Sequence, residues 1–364
     1  MKKFNEIFID KTKYGEKIQT SEYEKQGKHI IVDQGQAEIA GYTNREEGLF
    51  NEVPVIIFGD HTRLIKYIDE PFFLGADGVK VLRSKEKNAN YKYLYYALKS
   101  AKIPNTGYNR HFKWLKDVEI NYPDSVKQEK IVDILDRVSD VIEKRKAELS
   151  YLDTLIKARF VEMFGDPISN PKGWDRIELG RLTDVGSSKR IFEKEYVSEG
   201  IPFYRTKEIV ELSKGNSIST ELYITEERFS EIKEKYGTPK AGDLLISAVG
   251  TIGIIWIVDG KNDFYFKDGN LIKVDSSEKF NSVYMKNLLE YLIDEYKKQM
   301  SSGTAYAALT ISGLVKMKVY DVPLKLQDEF AAFVHQVDKS KVVVQKALDE
   351  TQILFNSLMQ QYFG

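Results

Sequence analysis

The chain reads FVEMFG at residues 160–165 and closes, 199 residues later, on MQQYFG at residues 359–364. Extended backwards without a gap, the likeness aligns QEKIVDILDRVSDVIEKRKAELSYLDTLIKARFVEMFG from Gln128 with QDEFAAFVHQVDKSKVVVQKALDETQILFNSLMQQYFG from Gln327. Gln128 and Gln327, Val138 and Val337, Leu149 and Leu348, and Leu155 and Leu354 are identical pairs. Elsewhere the shared property is an apolar rhythm, so the two stretches are expected to adopt the same structure.

In the first copy one seam runs Ile131, Leu135, Val138, Ile142, Arg145, Leu149, Leu152, Ile156, Arg159, Met163. The second gives Phe330, Val334, Val337, Lys341, Val344, Leu348, Thr351, Phe355, Leu358, Tyr362. Steps of four and three alternate, the spacing of a helix that packs along another helix. Two helices of about 37 residues are predicted, each about 55 Å long at 1.5 Å per residue. One such helix alone would leave its seam in water, so the two are expected to pack on each other as an antiparallel coiled coil. The buried contacts would be Leu135, Val138, Ile142, Leu149, Leu152 and Ile156 against Val334, Val337, Val344, Leu348, Phe355 and Leu358. Arg145, Arg159, Lys341 and Thr351 interrupt the seams. A polar seam residue can specify partner and register, or a long arginine can reach past the seam to water; the sequence supports both readings.

Upstream the repeat is looser. WLKDVEINYP at 114–123 parallels GLVKMKVYDVP at 313–323, and VPVIIFGD at 53–60 resembles DLLISAVG at 243–250. In that alignment Gly59 and Gly78 match Gly250 and Gly269, glycines suited to turns. Helices NYKYLYYALKSA and SVYMKNLLEYLIDEYKKQM follow, each closed by a glycine-bearing polar loop. DPISNPKGW, residues 166–174, marks the junction. The expected fold class is α+β, with two similar mixed α/β globular domains, each followed by a long helix. The boundaries are 1–110 for the first globular domain and 111–166 for its strand and helix. The second globular domain takes 167–310, and its strand and helix take 311–364.

Composition excludes several classes of chemistry. There is no cysteine, hence no disulfide framework or thiolate nucleophile. The longest uncharged stretch, LLISAVGTIGIIWIV at 244–258, is too short for a membrane helix and reads as two strands around a Gly-Thr-Ile-Gly turn. No membrane association is expected, and a cytoplasmic location suits the missing cysteine. Net charge is −1, and neither globular domain has the basic excess of a self-sufficient nucleic-acid binder. No Asn- or Asp-Pro-Pro-aromatic stretch and no phosphate loop occurs. Pro123-Asp124 sits at a helix start, where aspartate is a routine cap, and His29, His61, His111 and His335 lack ligand spacing. No catalytic and no metal residue is therefore expected.

The order of these parts resembles the specificity subunit of type I restriction–modification enzymes. HIIVDQGQAEIAGYT, VIIFGDHTR, FFLGADGVKVL and the run into LKDVEINYP look like a first target-recognition domain. GWDRIELGRLTDV, GIPFYRTKEI, AGDLLISAVGTIG and SSGTAYAALTISGLVKMKVYDVPL look like a second. The first domain begins almost directly at FIDKTKYGEKI, with no evident counterpart of the opening GWDRIELGRL. The resemblance implies a non-catalytic reader of double-stranded DNA whose two domains each recognise half of a split target, with the paired helices setting the spacer. It also implies two docked modification subunits that carry S-adenosylmethionine and methylate adenine, joined by translocating restriction subunits for cleavage. No cofactor would bind this chain itself. The rival reading is a helical scaffold without DNA readout.

Direct readout needs arginine, lysine, asparagine, glutamine or small hydroxyls projected from loops. In the first domain these are Gln34, Gln36, His61, Thr62, Arg63, Tyr108, Asn109, Arg110 and His111. In the second they are Ser187, Ser188, Lys189, Arg190, Arg205, Lys207, Thr251, Thr304 and Tyr306.

Overall fold

A computed structural model of the chain describes residues 1–75, 77–300 and 308–364, without the side chains of Gln299 and Met300. It divides into two compact units. One comprises Met1–Ala147 with Gln345–Gly364, the other Glu148–Val344.

The first unit opens with β1 (Lys2–Lys3), the one-turn helix α1 (Phe4–Ile7) and β2 (Phe8–Asp10). There follow β3 (His29–Val32), β4 (Gly41–Thr43), β5 (Val55–Gly59), β6 (Ile65–Ile68), β7 (Phe72–Leu74) and β8 (Val79–Ser84). Helix α2 (Tyr91–Lys99), the short helix α3 (Phe112–Leu115) and β9 (Glu119–Ile120) lead into the long helix α4 (Ser125–Phe164). A four-stranded sheet has the order β2-β8-β5-β6, a three-stranded sheet β4-β3-β7, and β1 pairs with β9. The β5 run VIIFG is buried throughout, as suits a central strand covered on both faces. Asn90 caps α2 by accepting the Tyr93 N–H at 3.0 Å, and Asp124 caps α4 by accepting that of Lys127 at 2.9 Å.

The second unit repeats this layout. Its elements are β10 (Arg176–Glu178), α5 (Leu179–Leu182), β11 (Val185–Gly186), β12 (Ile201–Tyr204), α6 (Thr206–Ser213), β13 (Tyr223–Ile224) and α7 (Glu226–Tyr236). Then come β14 (Leu244–Ser247), β15 (Ile255–Ile257), β16 (Tyr265–Phe266), β17 (Leu271–Val274), α8 (Ser282–Met300), α9 (Ile311–Lys316), β18 (Lys318–Tyr320) and the long helix α10 (Leu324–Phe363). The sheets run β11-β17-β14-β15 and β13-β12-β16, with β10 on β18. Every pairing is that of the first unit with nine added to the strand number. The sense agrees too: β3 with β7 and β12 with β16 are the parallel pairs, while β3 with β4 and β12 with β13 are antiparallel. The apolar stretch at 244–258 forms the expected pair, β14 and β15.

Backbone bonds fix the equivalences more finely than the sequence does, and correct two of its readings. Phe4 donates to Val118 at 3.1 Å and Leu179 to Met317 at 2.9 Å. The first unit therefore does keep the strand-and-turn opening, with Phe4 and Ile7 in the places of Leu179 and Leu182. Gly59 bonds Leu64 as Ser247 bonds Ile254, and Asp60 bonds Gly78 as Ala248 bonds Asn270. Gly59 thus matches Ser247 and Gly78 matches Asn270, not Gly250 and Gly269. Gly250 lies on the β14–β15 turn beyond the strand, and Gly269 stands one residue before Asn270.

The long helices behave as their seams predict. In the first unit Ile131, Leu135 and Ile142 share a core with Phe355 and Met359, with Val138, Leu348 and Leu358 packed against it. In the second, Ile156, Phe160 and Phe164 pack with Phe330, Val334 and Val337. Within each unit rising numbers along α4 meet falling numbers on α10. In the first, Asn121, just ahead of α4, bonds Tyr362 and Arg145 bonds Ala347; in the second, Asp153 lies against Lys341 and Phe164 against Phe330, so the pairing is antiparallel. Arg145 does not reach for water: its guanidinium bonds the Ala347 carbonyl and the Thr351 hydroxyl inside the seam. Lys341 pairs with Asp153 at 2.5 Å, whereas Arg159 turns outward to Glu162 and lies over Phe333. Gln128 and Gln327 are buried, and each donates its amide to the carbonyl five residues upstream, Pro123 or Val322, at 2.8 Å.

Candidate nucleic-acid interface

In the first unit three loops meet where β3, β5 and β7 end. Gln34 ties them: its amide nitrogen donates to the Asp77 carbonyl at 2.8 Å, and its amide oxygen accepts the His61 N–H at 3.1 Å. Thr62 donates its hydroxyl to the Gln34 carbonyl at 2.7 Å. His61 stacks in turn on Tyr108, with ring centroids 4.7 Å apart and planes within 9°. Arg63 adopts φ +62° at the β5–β6 turn and contacts the Ile103 carbonyl at 3.4 Å. Gln36, Tyr108, Asn109 and Arg110 are exposed. Asn109 also braces its own loop through the Thr106 carbonyl at 2.5 Å.

His111 differs from the expectation. Its side chain is fully buried, with Nδ1 3.0 Å from the Asp60 carbonyl and Nε2 3.4 Å from the Thr106 hydroxyl. A ring held that way has no surface to offer a groove; it anchors the base of the loop. Asp60, equally buried, accepts the Phe112 N–H at 2.7 Å.

In the second unit the turn at 267–270 is the hub. The N–H of Lys267 donates to the Tyr204 carbonyl, and that of Gly269 to the Ser187 hydroxyl at 3.4 Å. Arg190 pairs with Asp268 at 2.8 Å, and Lys189 donates its N–H to the Tyr265 hydroxyl. Arg205 is engaged by buried Glu208 at 3.0 Å and by Glu221, which also lies 3.7 Å from Lys207. Ser188 Oγ is buried without a partner among the described residues. Thr251 lies exposed on the β14–β15 turn, and Thr304 and Tyr306 lie outside the described residues. Among the described residues, Gln34, Gln36, His61, Thr62 and Arg63 follow β3 and β5, and Arg205, Lys207 and Thr251 follow the equivalent strands β12 and β14, with different side chains.

Lys66 was missed by the sequence reading. It is buried on β6 and donates to the Asp33 and Ala37 carbonyls at 2.8 and 2.6 Å, shaping the loop that carries Gln34 and Gln36. Burial lowers its pKa, against the opposing pull of Asp33 and Glu38. The signal was present in IKYI, where strand alternation puts Lys66 on the same face as buried Ile68. Asp77, hydrogen-bonded by Lys17, is held below the ordinary carboxylate range and steadies the other side of the rim. Exposed pairs such as this contribute little to stability.

The family model described as the type I restriction modification DNA specificity domain matches residues 1–151 and again 171–351. The chain belongs to that family. A putative type I restriction enzyme specificity subunit of Haemophilus influenzae is 29% identical over 276 residues, which cover 73% of this chain and 69% of the relative. The MjaIX specificity subunit of Methanocaldococcus jannaschii is 28% identical over 64% of this chain and 57% of its own. Among solved structures, the S subunit of a type I restriction–modification system from M. genitalium covers the whole chain and 95% of its own, with a TM-score of 0.58 at 19% identity. That likeness extends to the fold. Subunits of this family recognise DNA targets and are non-catalytic; methyl transfer and restriction reside on other subunits. Among the described residues no helix is long and apolar enough to cross a membrane.

Proposed function

We propose that this chain reads a bipartite DNA target, the domain at 1–110 recognising one half and the domain at 167–310 the other. The strand and helix segments at 111–166 and 311–364 would set the spacer between the halves. The observation that carries this is the duplicated sheet topology with dissimilar side chains after equivalent strands: Gln34, His61 and Arg63 in one, Arg205, Lys207 and Thr251 in the other. A scaffold would have no use for two such heads.

Two modification subunits would dock on the helices and supply S-adenosylmethionine, with restriction subunits completing a cytoplasmic complex. Support comes from Leu155 and Leu354, identical residues at repeat-equivalent positions that are 46% and 50% exposed. Two equal apolar points on a paired-helix frame suit two copies of one partner. With its net charge near zero, the isolated chain would bind DNA weakly and rely on those partners for phosphate contacts.

The test is methyladenine mapping in a host expressing this chain with its modification subunits. A split motif is expected. Replacing Asn109 and Arg110 with alanine should relax one half of it and leave the other half intact; relaxation of both halves together would refute the modular reading.

A further inference from the structure

We propose that the first head carries a stacking wedge: Tyr108, presented by His61, enters a base step of the half-site that this head reads. This role rests on the DNA-reading function proposed above.

Tyr108 is 87% exposed, more than any other large apolar side chain among the described residues. Left in water, an aromatic ring forgoes the stabilisation that burial would bring, and a free one would sample many rotamers. Here the loop that carries the ring is braced, and one neighbour backs the ring itself. Its loop turns at Gly107, with φ +76°, and the Gly107 N–H donates to Asn105 Oδ1 at 3.2 Å. Asn109 closes back on Thr106, and the buried His111 ring faces the Thr106 hydroxyl from below. One face of Tyr108 lies flat on His61, whose own N–H is held by Gln34. The other face is uncovered, and Arg110 beside it is exposed and cationic.

An outward ring on a braced loop, with one face backed and one face bare, matches the geometry of a wedge. A ring is about as thick as the 3.4 Å rise between bases, and inserted side chains of this kind unstack a step and kink the duplex. Stacking tolerates any base, so the wedge would set where the DNA deforms, while Arg63, Asn109 and Arg110 read edges around it.

The experiment uses the complete complex with its modification subunits and a duplex carrying the mapped target, with 2-aminopurine placed at successive positions of both half-sites. The wild-type complex should brighten the probe several-fold at one step of one half-site, away from the methylated adenine. Tyr108→Phe should preserve that signal, since stacking needs no hydroxyl. Tyr108→Ala should abolish it and weaken binding about 10- to 100-fold, with an unchanged melting temperature because the side chain packs on little. His61→Ala should reduce the signal. Brightening that survives Tyr108→Ala, loss of signal in Tyr108→Phe, or no brightening at all in a complex that methylates its target would each overturn the wedge while leaving the function standing. A host in which no split methylation motif appears would refute the function, and the wedge with it.

Discussion

Replacing Gln327 with methionine should destabilise the second unit more than replacing Gln128 destabilises the first, although the two glutamines occupy the same place in the repeat. Both donate to the carbonyl five residues back at 2.8 Å. Gln327 also accepts the N–H of Asn281 at 2.8 Å, the residue whose side chain caps α8. Methionine fills similar volume but leaves these groups unpaired. A buried polar group stripped of its partner costs about 1–3 kcal/mol. Gln128→Met strands one carbonyl, about 1–2 kcal/mol by that scale, since the Tyr122 hydroxyl that Gln128 also touches keeps its bond to Glu86. Gln327→Met strands a carbonyl and an N–H, about 2–4 kcal/mol. At about 2–4 °C per kcal/mol for a domain of this size, the one extra stranded group should make the melting of the second unit fall roughly 2–8 °C further than that of the first. Calorimetry would measure it, with hydrogen exchange at 122–135 and 321–334 assigning each transition. Equal losses in the two variants would refute the reasoning, because the Asn281 bond is what separates them.

Burial, aided by its bond to Glu86, pushes the Tyr122 phenol up to about 12. A phenol whose pKa rises on folding stabilises the folded state below pH 10, and that contribution drains away between pH 10 and 12; Tyr122→Phe should flatten this part of the melting-temperature profile. Burial acts on Lys66 in the opposite sense, so its charge is a cost to the folded state that shrinks as pH rises towards 10.5. The stability of wild type relative to Lys66→Met should therefore grow over the alkaline side of neutrality, measured by urea unfolding. Ending the chain after Val344 should melt the first unit, whose core uses Phe355 and Met359, and spare the second; limited proteolysis would show a resistant fragment spanning 148–344.

The helices were legible in the sequence because a seam repeated over ten positions leaves few alternatives, and the same holds for the strand pair at 244–258. Harder to see was the first unit's opening. Phe4 and Ile7 do the work of Leu179 and Leu182, but apolar character alone links KKFNEI to RIELGRL, and backbone pairing to Val118 reveals the match. The glycines misled for a related reason: a shared spacing of nineteen residues pairs Gly59 and Gly78 with Gly250 and Gly269, although the sheet puts Ser247 and Asn270 in their places. In the rim, polarity drew attention equally to groups that face outward and groups that hold the loops. Gln34 and His111 are of the second kind, and residue type cannot separate them from Tyr108 or Arg110. Lys66 escaped because a lysine on a strand is usually read as a solvent-facing edge.

The division of the chain has a consequence for its synthesis. The second unit is one continuous stretch, 148–344, while the first needs residues from both ends. On the ribosome the part made first therefore cannot finish its core until residues 345–364 emerge, and its apolar patches around Ile131 and Leu135 stay uncovered meanwhile. The later-made unit can close before the earlier one, so a nascent chain would mature from its middle outwards, with a chaperone's attention falling on the amino-terminal head.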